Sequence, residues 1–170
     1  DDFSQIGSNL SSRFGLVQEI GDHHSLKLLF GEAFRAPAEN ELNLVNNPVL
    51  LGNSDLEPET VQTWDLIWIG QWKHTAFSLG YFENHFKDAI VQAPLGDGTL
   101  QYGNMDQNTI KGVELELSHE LNELWLVRGT YSYIFEKPDL TFREADQSAS
   151  LMVNRQQANW NANLAATYFN

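Results

Sequence analysis

Hydrophobic and polar residues alternate along most of this chain, in runs separated by turn residues. A period of two predicts strands with one apolar and one polar face. In the first run, 9–20, Leu10, Phe14 and Leu16 share one parity, and Ser11, Arg13, Gly15, Val17 and Glu19 the other. After a turn at 21–24, Leu26, Leu28 and Phe30 line a second strand. The third, 60–69, sets Trp64, Leu66 and Trp68 against Thr63, Asp65 and Ile67. A long fourth run, 74–91, places Phe77, Leu79 and Tyr81 opposite Ala76, Ser78 and Gly80. A fifth passes through 100–102 and resumes at 110. It carries the cleanest alternation, with Val113, Leu115 and Leu117 facing away from Gly112, Glu114, Glu116 and Ser118. Trp125, Val127, Tyr131, Tyr133 and Phe135 line a sixth strand, opposite Arg128, Thr130 and Ser132. The last starts near 159 and presents Trp160, Ala162, Leu164, Ala166 and Tyr168 on one face. The expected fold is all-β, an antiparallel up-and-down meander of about seven strands.

The connections differ in length. Those at 21–24, 70–73 and 119–122 are short, 93–98 is intermediate, and 35–58 and 137–153 are long and polar. Short turns at one end and long loops at the other are the layout of an outer-membrane barrel. The alternation itself also fits a water-exposed β-sandwich. Aromatic placement favours the barrel. Trp68, Trp72 and Trp125 lie near the short turns, and Tyr81, Tyr131, Tyr133 and Phe135 lie toward the long loops. Two such belts are expected where a wall crosses two membrane interfaces. No apolar run of 18 residues exists, so a transmembrane helix is excluded, whereas strands cross with a much weaker signal.

Composition narrows the chemistry. The 170 residues suffice for one domain, and there is no cysteine, hence no disulfide or thiolate metal site. A net charge of -13, from 10 basic and 23 acidic residues, argues against a nucleic-acid partner, which requires a basic patch. No catalytic set emerges. Glu114 and Glu116 share a strand face but read as hydrated charges, since acid–base work needs a desolvated pocket. His23 and His24 are adjacent in a turn and point apart, and neither His85 nor His119 has ligand-like spacing. No G-x-S-x-G elbow occurs. The expectation is a non-enzyme with no metal and no cofactor. The chain begins at Asp1 without an initiator Met or signal peptide and ends within a strand-like run, so both ends read as truncated.

The long segment 30–59 is the one the other runs are arranged around. Pro37, Pro48 and Pro58 punctuate it, and Asn46-Asn47-Pro48 and Gly52-Asn53-Ser54-Asp55 are turn chemistry. Its apolar content (Phe34, Leu42, Leu44, Val45, Val49, Leu50, Leu51, Leu56) is too high for a disordered linker, so it reads as a functional loop. Ala33-Phe34-Arg35-Ala36-Pro37, Glu41-Leu42 and Gly52-Asn53-Ser54-Asp55-Leu56-Glu57-Pro58-Glu59 closely resemble the AFRAP…EL…GNPxLxPE motifs of TonB-dependent outer-membrane receptors. Tyr102-Gly103-Asn104 followed by Gly112-Val113-Glu114 resembles the family's YxN…GxE segment. Together these span about 26–133, and Ser54 stands where the family usually has proline.

The resemblance implies that 1–170 is part of the β-barrel domain of such a receptor, with the plug domain absent. Barrels of this family have about 22 strands and a plugged lumen. The implied setting is the cell outer membrane, with its lipid as one partner. The implied function is TonB-dependent active uptake of a nutrient, foremost a ferric siderophore, with haem or cobalamin as alternatives. The TonB energy-coupling protein would act through the missing plug. Receptors for haem use a histidine between the two loop motifs, and none lies between Pro37 and Leu56, which counts against haem. Arg35, Glu41, Asn53, Glu57 and Glu59 are the candidate ligand-binding or loop-organising residues. Of the two roles, pinning the loop is favoured over direct ligand contact. Residues shared among receptors for different ligands cannot set ligand identity. Outside the family, a soluble secreted β-sandwich binding module and a small outer-membrane enzyme remain as alternatives.

Overall fold

The computed structural model describes residues 10–138 and 145–170. Eleven strands and one short helix follow in the order β1 (Arg13–Ile20), β2 (His24–Arg35), α1 (Glu39–Asn43), β3 (Leu50–Leu51), β4 (Glu59–Gln71), β5 (Thr75–Lys87), β6 (Ala89–Pro94), β7 (Leu100–Met105), β8 (Asn108–Asn122), β9 (Trp125–Glu136), β10 (Gln147–Gln157) and β11 (Trp160–Phe169). Eight of them form one sheet in the order β1-β2-β4-β5-β8-β9-β10-β11, and β3-β7-β6 form a second, small sheet. Each strand of the large sheet therefore lies beside the next large-sheet strand in the chain, as in a meander. The described residues fall into two compact units. One comprises 10–13, 31–63 and 84–109; the other comprises 14–30, 64–83, 110–138 and 145–170.

In the second unit the pairings β8–β9, β9–β10 and β10–β11 are antiparallel. Register places Leu115, Tyr131, Ala149 and Tyr168 in one row, and Leu117, Gly129, Leu151 and Ala166 in the next. The opposite face carries the row Glu116, Thr130, Ser150 and Thr167, within which the Thr130 and Ser150 hydroxyls are 2.7 Å apart. Exposure runs against the soluble-protein pattern. Leu117 is 46% and Leu151 53% exposed, as are Trp64, Leu66, Trp68, Tyr131, Tyr133 and Phe135 to similar extents. Thr63, Asp65, Thr130 and Ser132 on the other face are half-buried. Among the described residues the one buried large hydrophobe is Leu56. A β-sandwich buries its apolar face and wets its polar one. This sheet does the reverse, as a lipid-facing wall must, and the sandwich expectation is overturned on that ground.

The aromatic belts are formed as the sequence suggests. Beside the short turns, Trp68 packs edge-on against Phe77 at 4.9 Å, Trp72 stacks on Phe77 at 5.8 Å, and the Trp68 indole donates to His24 Nδ1 at 3.3 Å. Gly70 is required here: a Cβ on it would lie 2.2 Å from the Phe77 ring. Toward the long-loop ends, Tyr81 and Tyr133 flank Phe135 at 6.3 and 6.2 Å. Among the described residues no helix is long and apolar enough to cross a membrane, which says nothing of strands.

Three expectations are corrected. The large sheet has eight strands because β10 occupies much of what reads as a polar connection at 137–153. Ser148, Ser150 and Asn154 face the half-buried side and Gln147, Arg155 and Gln157 interrupt the apolar one, which hides the strand from a hydrophobicity pattern. The remainder of that connection, 139–144, lies outside the described residues, as does the chain start at 1–9. The run 74–91 is broken at Asp88, whose positive φ of 57° ends β5 and opens β6. The first strand begins at Arg13 rather than at 9, leaving the exposed Leu10 outside it.

Candidate functional site

The 35–58 segment lies in the first unit and is folded onto the small sheet. Pro37 cannot extend β2, and the chain turns instead into α1. Glu41, three residues after Ala38, reaches back to accept from the Ala38 N–H at 2.7 Å, the side-chain half of a capping box. Asn47 caps the next turn, its Oδ1 accepting from the N–H groups of Val49 and Leu50 at 2.9 and 3.1 Å. The chain then adds β3 in parallel to β7, pairing Leu50 with Leu100 and Leu51 with Gln101. Gly52 closes the loop on itself, donating to the Leu44 carbonyl at 2.7 Å. A Cβ at this position would sit 2.4 Å from Leu44 N and 2.9 Å from Leu42 O, so no other residue fits this backbone.

Three of the five predicted residues meet in one ion network. Arg35 donates through Nε to Glu59 Oε2 at 2.5 Å and through Nη1 to Glu41 Oε2 at 2.8 Å. The second Glu59 oxygen accepts from the Ile90 N–H, also at 2.5 Å. Arg35 thus joins the end of β2, the helix and the start of β4, and Glu59 carries the link to β6. Glu41 is largely buried, its side chain 14% exposed. Burial works against its ionisation, but the bonds from Arg35 and the Ala38 N–H outweigh it and hold the carboxyl below the usual glutamate range.

Asn53 is a joint rather than part of that network. Its N–H donates to the Glu41 carbonyl at 2.8 Å, its amide nitrogen to the Tyr102 carbonyl at 3.1 Å, and its Oδ1 accepts from the Asp55 N–H at 3.0 Å. Glu57 is held through its main chain: the N–H donates to Asn104 Oδ1 at 2.8 Å, and the carbonyl accepts from Asn104 Nδ2 at 2.9 Å. Its carboxylate takes no part.

Sequence reasoning passed over Asn104, which also donates to the Asp88 carbonyl at 2.6 Å and so ties the loop end to the β5–β6 break. It also passed over Gln101, whose amide donates to the Gly52 carbonyl at 3.1 Å. The signal was present in Tyr102-Gly103-Asn104, a motif noted but given no role. An open hollow of about 330 Å³ in the same unit is lined by Thr60, Gln62, His85, Lys87, Asn108 and Thr109, and none of the five predicted residues reaches it. Among the described residues no three His, Asp or Glu side chains come together to hold a metal ion.

Comparison with known proteins agrees with this architecture. The sequence matches the family described as TonB dependent receptor-like, beta-barrel, over residues 1–170. It is 32% identical over 124 residues to a probable TonB-dependent siderophore receptor, PirA, of Acinetobacter baumannii, covering 64% of this chain and 16% of that protein. It is 25% identical to the vitamin B12 transporter BtuB of Vibrio vulnificus, covering 91% of this chain and 24% of the transporter. The crystal structure of the siderophore receptor PirA from Pseudomonas aeruginosa superposes with a TM-score of 0.82 at 24% identity, covering 96% of this chain and 31% of that one. The chain thus spans about a sixth to a quarter of the length of these curated relatives. Matched along its whole length and built as an antiparallel meander, the chain belongs to the TonB-dependent receptor β-barrel family.

Proposed function

We propose that residues 1–170 form part of the barrel wall of an outer-membrane receptor that takes up a ferric siderophore by TonB-dependent transport. The observation that carries the reading is the family match over the whole chain, joined to 32% identity over 124 residues with a protein described as a probable TonB-dependent siderophore receptor. The absence of histidine between Pro37 and Leu56 speaks against haem as the cargo. In this reading the apolar face contacts outer-membrane lipid. The long 35–58 loop stands at the external mouth, and ligand capture there is passed to a plug domain that the TonB protein pulls on. The chain does no covalent chemistry on its cargo.

Within the loop, Arg35, Glu41, Asn53, Glu57 and Glu59 serve as organisers. Arg35 donates through Nε to Glu59 and through Nη1 to Glu41, so two carboxylates balance the charge of the loop's single base and leave it little net attraction for an anionic ligand. The loop contributes shape, and the cations a siderophore complex needs come from other parts of the barrel.

The test is uptake of radiolabelled cargo, with iron as the label in siderophores and haem and cobalt in cyanocobalamin, by cells that produce the full-length receptor as their only siderophore receptor, with and without TonB. Ferric siderophores, haem and cyanocobalamin are compared. TonB-dependent uptake of a ferric siderophore is expected. Uptake of cyanocobalamin alone would replace the siderophore reading with the cobalamin one that the Vibrio vulnificus match favours. Ligand affinity unchanged by deletion of 35–58 would show that the loop has no part in capture.

A further inference from the structure

Arg155 is out of character for its position. It lies on the apolar face, opposite Trp125 of β9 and Ala162 of β11, in register with the column that continues through Val127, Val153 and Leu164. It stands at the short-turn end, where the Gln156 N–H bonds the Leu124 carbonyl. A charge in the hydrocarbon costs about 2–4 kcal/mol at the midplane of a barrel wall and little near the interface, so an arginine here belongs at headgroup level.

The side chain is fixed there. Its guanidinium carbon lies over the Trp125 ring, 5.3 Å from the centre, and over the Trp160 ring at 5.0 Å, so the cation contacts two indoles on the strands either side. Contact with the ring faces balances the charge but supplies no hydrogen-bond acceptor. The Nε is buried without a hydrogen-bond partner, and among the described residues no carboxylate pairs with the group. Arg128 of β9 pairs with Met152 and faces the other side. The cation is therefore pre-positioned and left to meet its counter-charge through the Nη edge. The acceptor that fits a planar fork is a phosphate, which takes two parallel N–H bonds.

We propose that Arg155, held against Trp125 and Trp160, is a binding site for the phosphate headgroup of an anionic phospholipid at the short-turn edge of the wall. The surrounding surface selects a lipid over a free anion. Leu151, Leu164 and Tyr168 on the same face are exposed and supply the apolar track an acyl chain needs. The inference rests on the membrane-spanning reading proposed above.

The experiment is native mass spectrometry of the full-length receptor in detergent, titrated with dioleoylphosphatidylglycerol or dioleoylphosphatidylcholine. Loss of one cation at an anionic surface is worth about 1 kcal/mol, so Arg155→Gln should weaken the first phosphatidylglycerol step about fivefold and leave phosphatidylcholine unchanged. Arg155→Lys keeps the charge but not the planar fork or the indole contacts, and its affinity should fall between that of the wild type and that of Arg155→Gln. It also serves if the glutamine variant does not fold. Phosphatidylglycerol affinity unchanged in Arg155→Gln, or lost equally in Arg155→Lys, would overturn the proposal. Displacement of phosphatidylglycerol by inorganic phosphate would show a free-anion site and overturn the lipid assignment. Failure of the wild type to retain either lipid would sink the membrane-spanning reading itself, and this site with it.

Discussion

Replacing Arg35 by glutamine should open the loop without harming the wall. The guanidinium makes two charge-assisted bonds, to Glu41 and Glu59. Bonds to charged groups contribute about 1.5–3 kcal/mol each when protected. Arg35 is 46% exposed, however, so solvent screening reduces each to about 1 kcal/mol. The loss is about 2 kcal/mol, or roughly 30-fold in the local opening equilibrium. The amides that should report it are those of Leu42, Gly52 and Asn53, bonded to the carbonyls of Ala38, Leu44 and Glu41.

Hydrogen exchange on the full-length receptor in detergent is the assay. Peptides covering 38–56 should exchange about 30-fold faster in Arg35→Gln, while those of β9 stay at the wild-type rate. Arg35→Lys, a point charge without the fork, should recover about half of the free energy. The sign of the pH effect follows from Glu41. Its folded carboxyl sits below the ordinary 4.5, so its ionised form stabilises the loop above that pH. The contribution disappears as pH falls through the lowered value, and loop protection corrected for intrinsic rate should fall there in the wild type. Loop exchange within about threefold of wild type in Arg35→Gln would refute the claim that this network holds the segment.

Three further substitutions separate the loop from the wall. Gly52→Ala drives a methyl group into the Leu44 and Leu42 backbone and should cost about 1–3 kcal/mol, seen as faster protease cleavage within 38–51. Leu115→Arg puts a charge on the lipid-facing row with Tyr131 and should lower folding stability in liposomes by about 2–4 kcal/mol at mid-depth. Glu116→Gln, one residue away on the polar face, should change it little.

The wall was legible in the sequence because its two faces differ chemically at every second residue. Val113, Leu115 and Leu117 announced β8 and its apolar face, which the structure pairs with Tyr133, Tyr131 and Gly129 of β9. What periodicity could not supply was the sense of the sheet, since a sandwich and a barrel give the same alternation. That required exposure, with Leu117 and Leu151 bare and Thr130 half-buried. β10 was missed for a related reason: Gln147, Arg155 and Gln157 leave its apolar face with only Ala149, Leu151 and Val153, too few for a pattern to detect. The break at Asp88 is a single left-handed residue, and nothing in its neighbours marks it.

The loop was legible at a different level. Its residues could be picked out as a group, but their arrangement depends on contacts 16 to 49 positions apart, which no local pattern encodes. Arg35 must cross 24 residues to Glu59, and Asn104 must reach back 47 to Glu57. These long-range bonds explain why one segment can be rich in acid and yet ordered. Of its acids, Glu41 and Glu59 are neutralised by a shared arginine, and Glu39 accepts from Asn43 within α1. Asp55 and Glu57 are fixed through their main chains. A loop organised this way presents a fixed backbone and little free positive charge. In a receptor that captures an anionic cargo, such a loop sets the shape of the mouth, and the discrimination by charge falls to the strands and loops that complete the barrel.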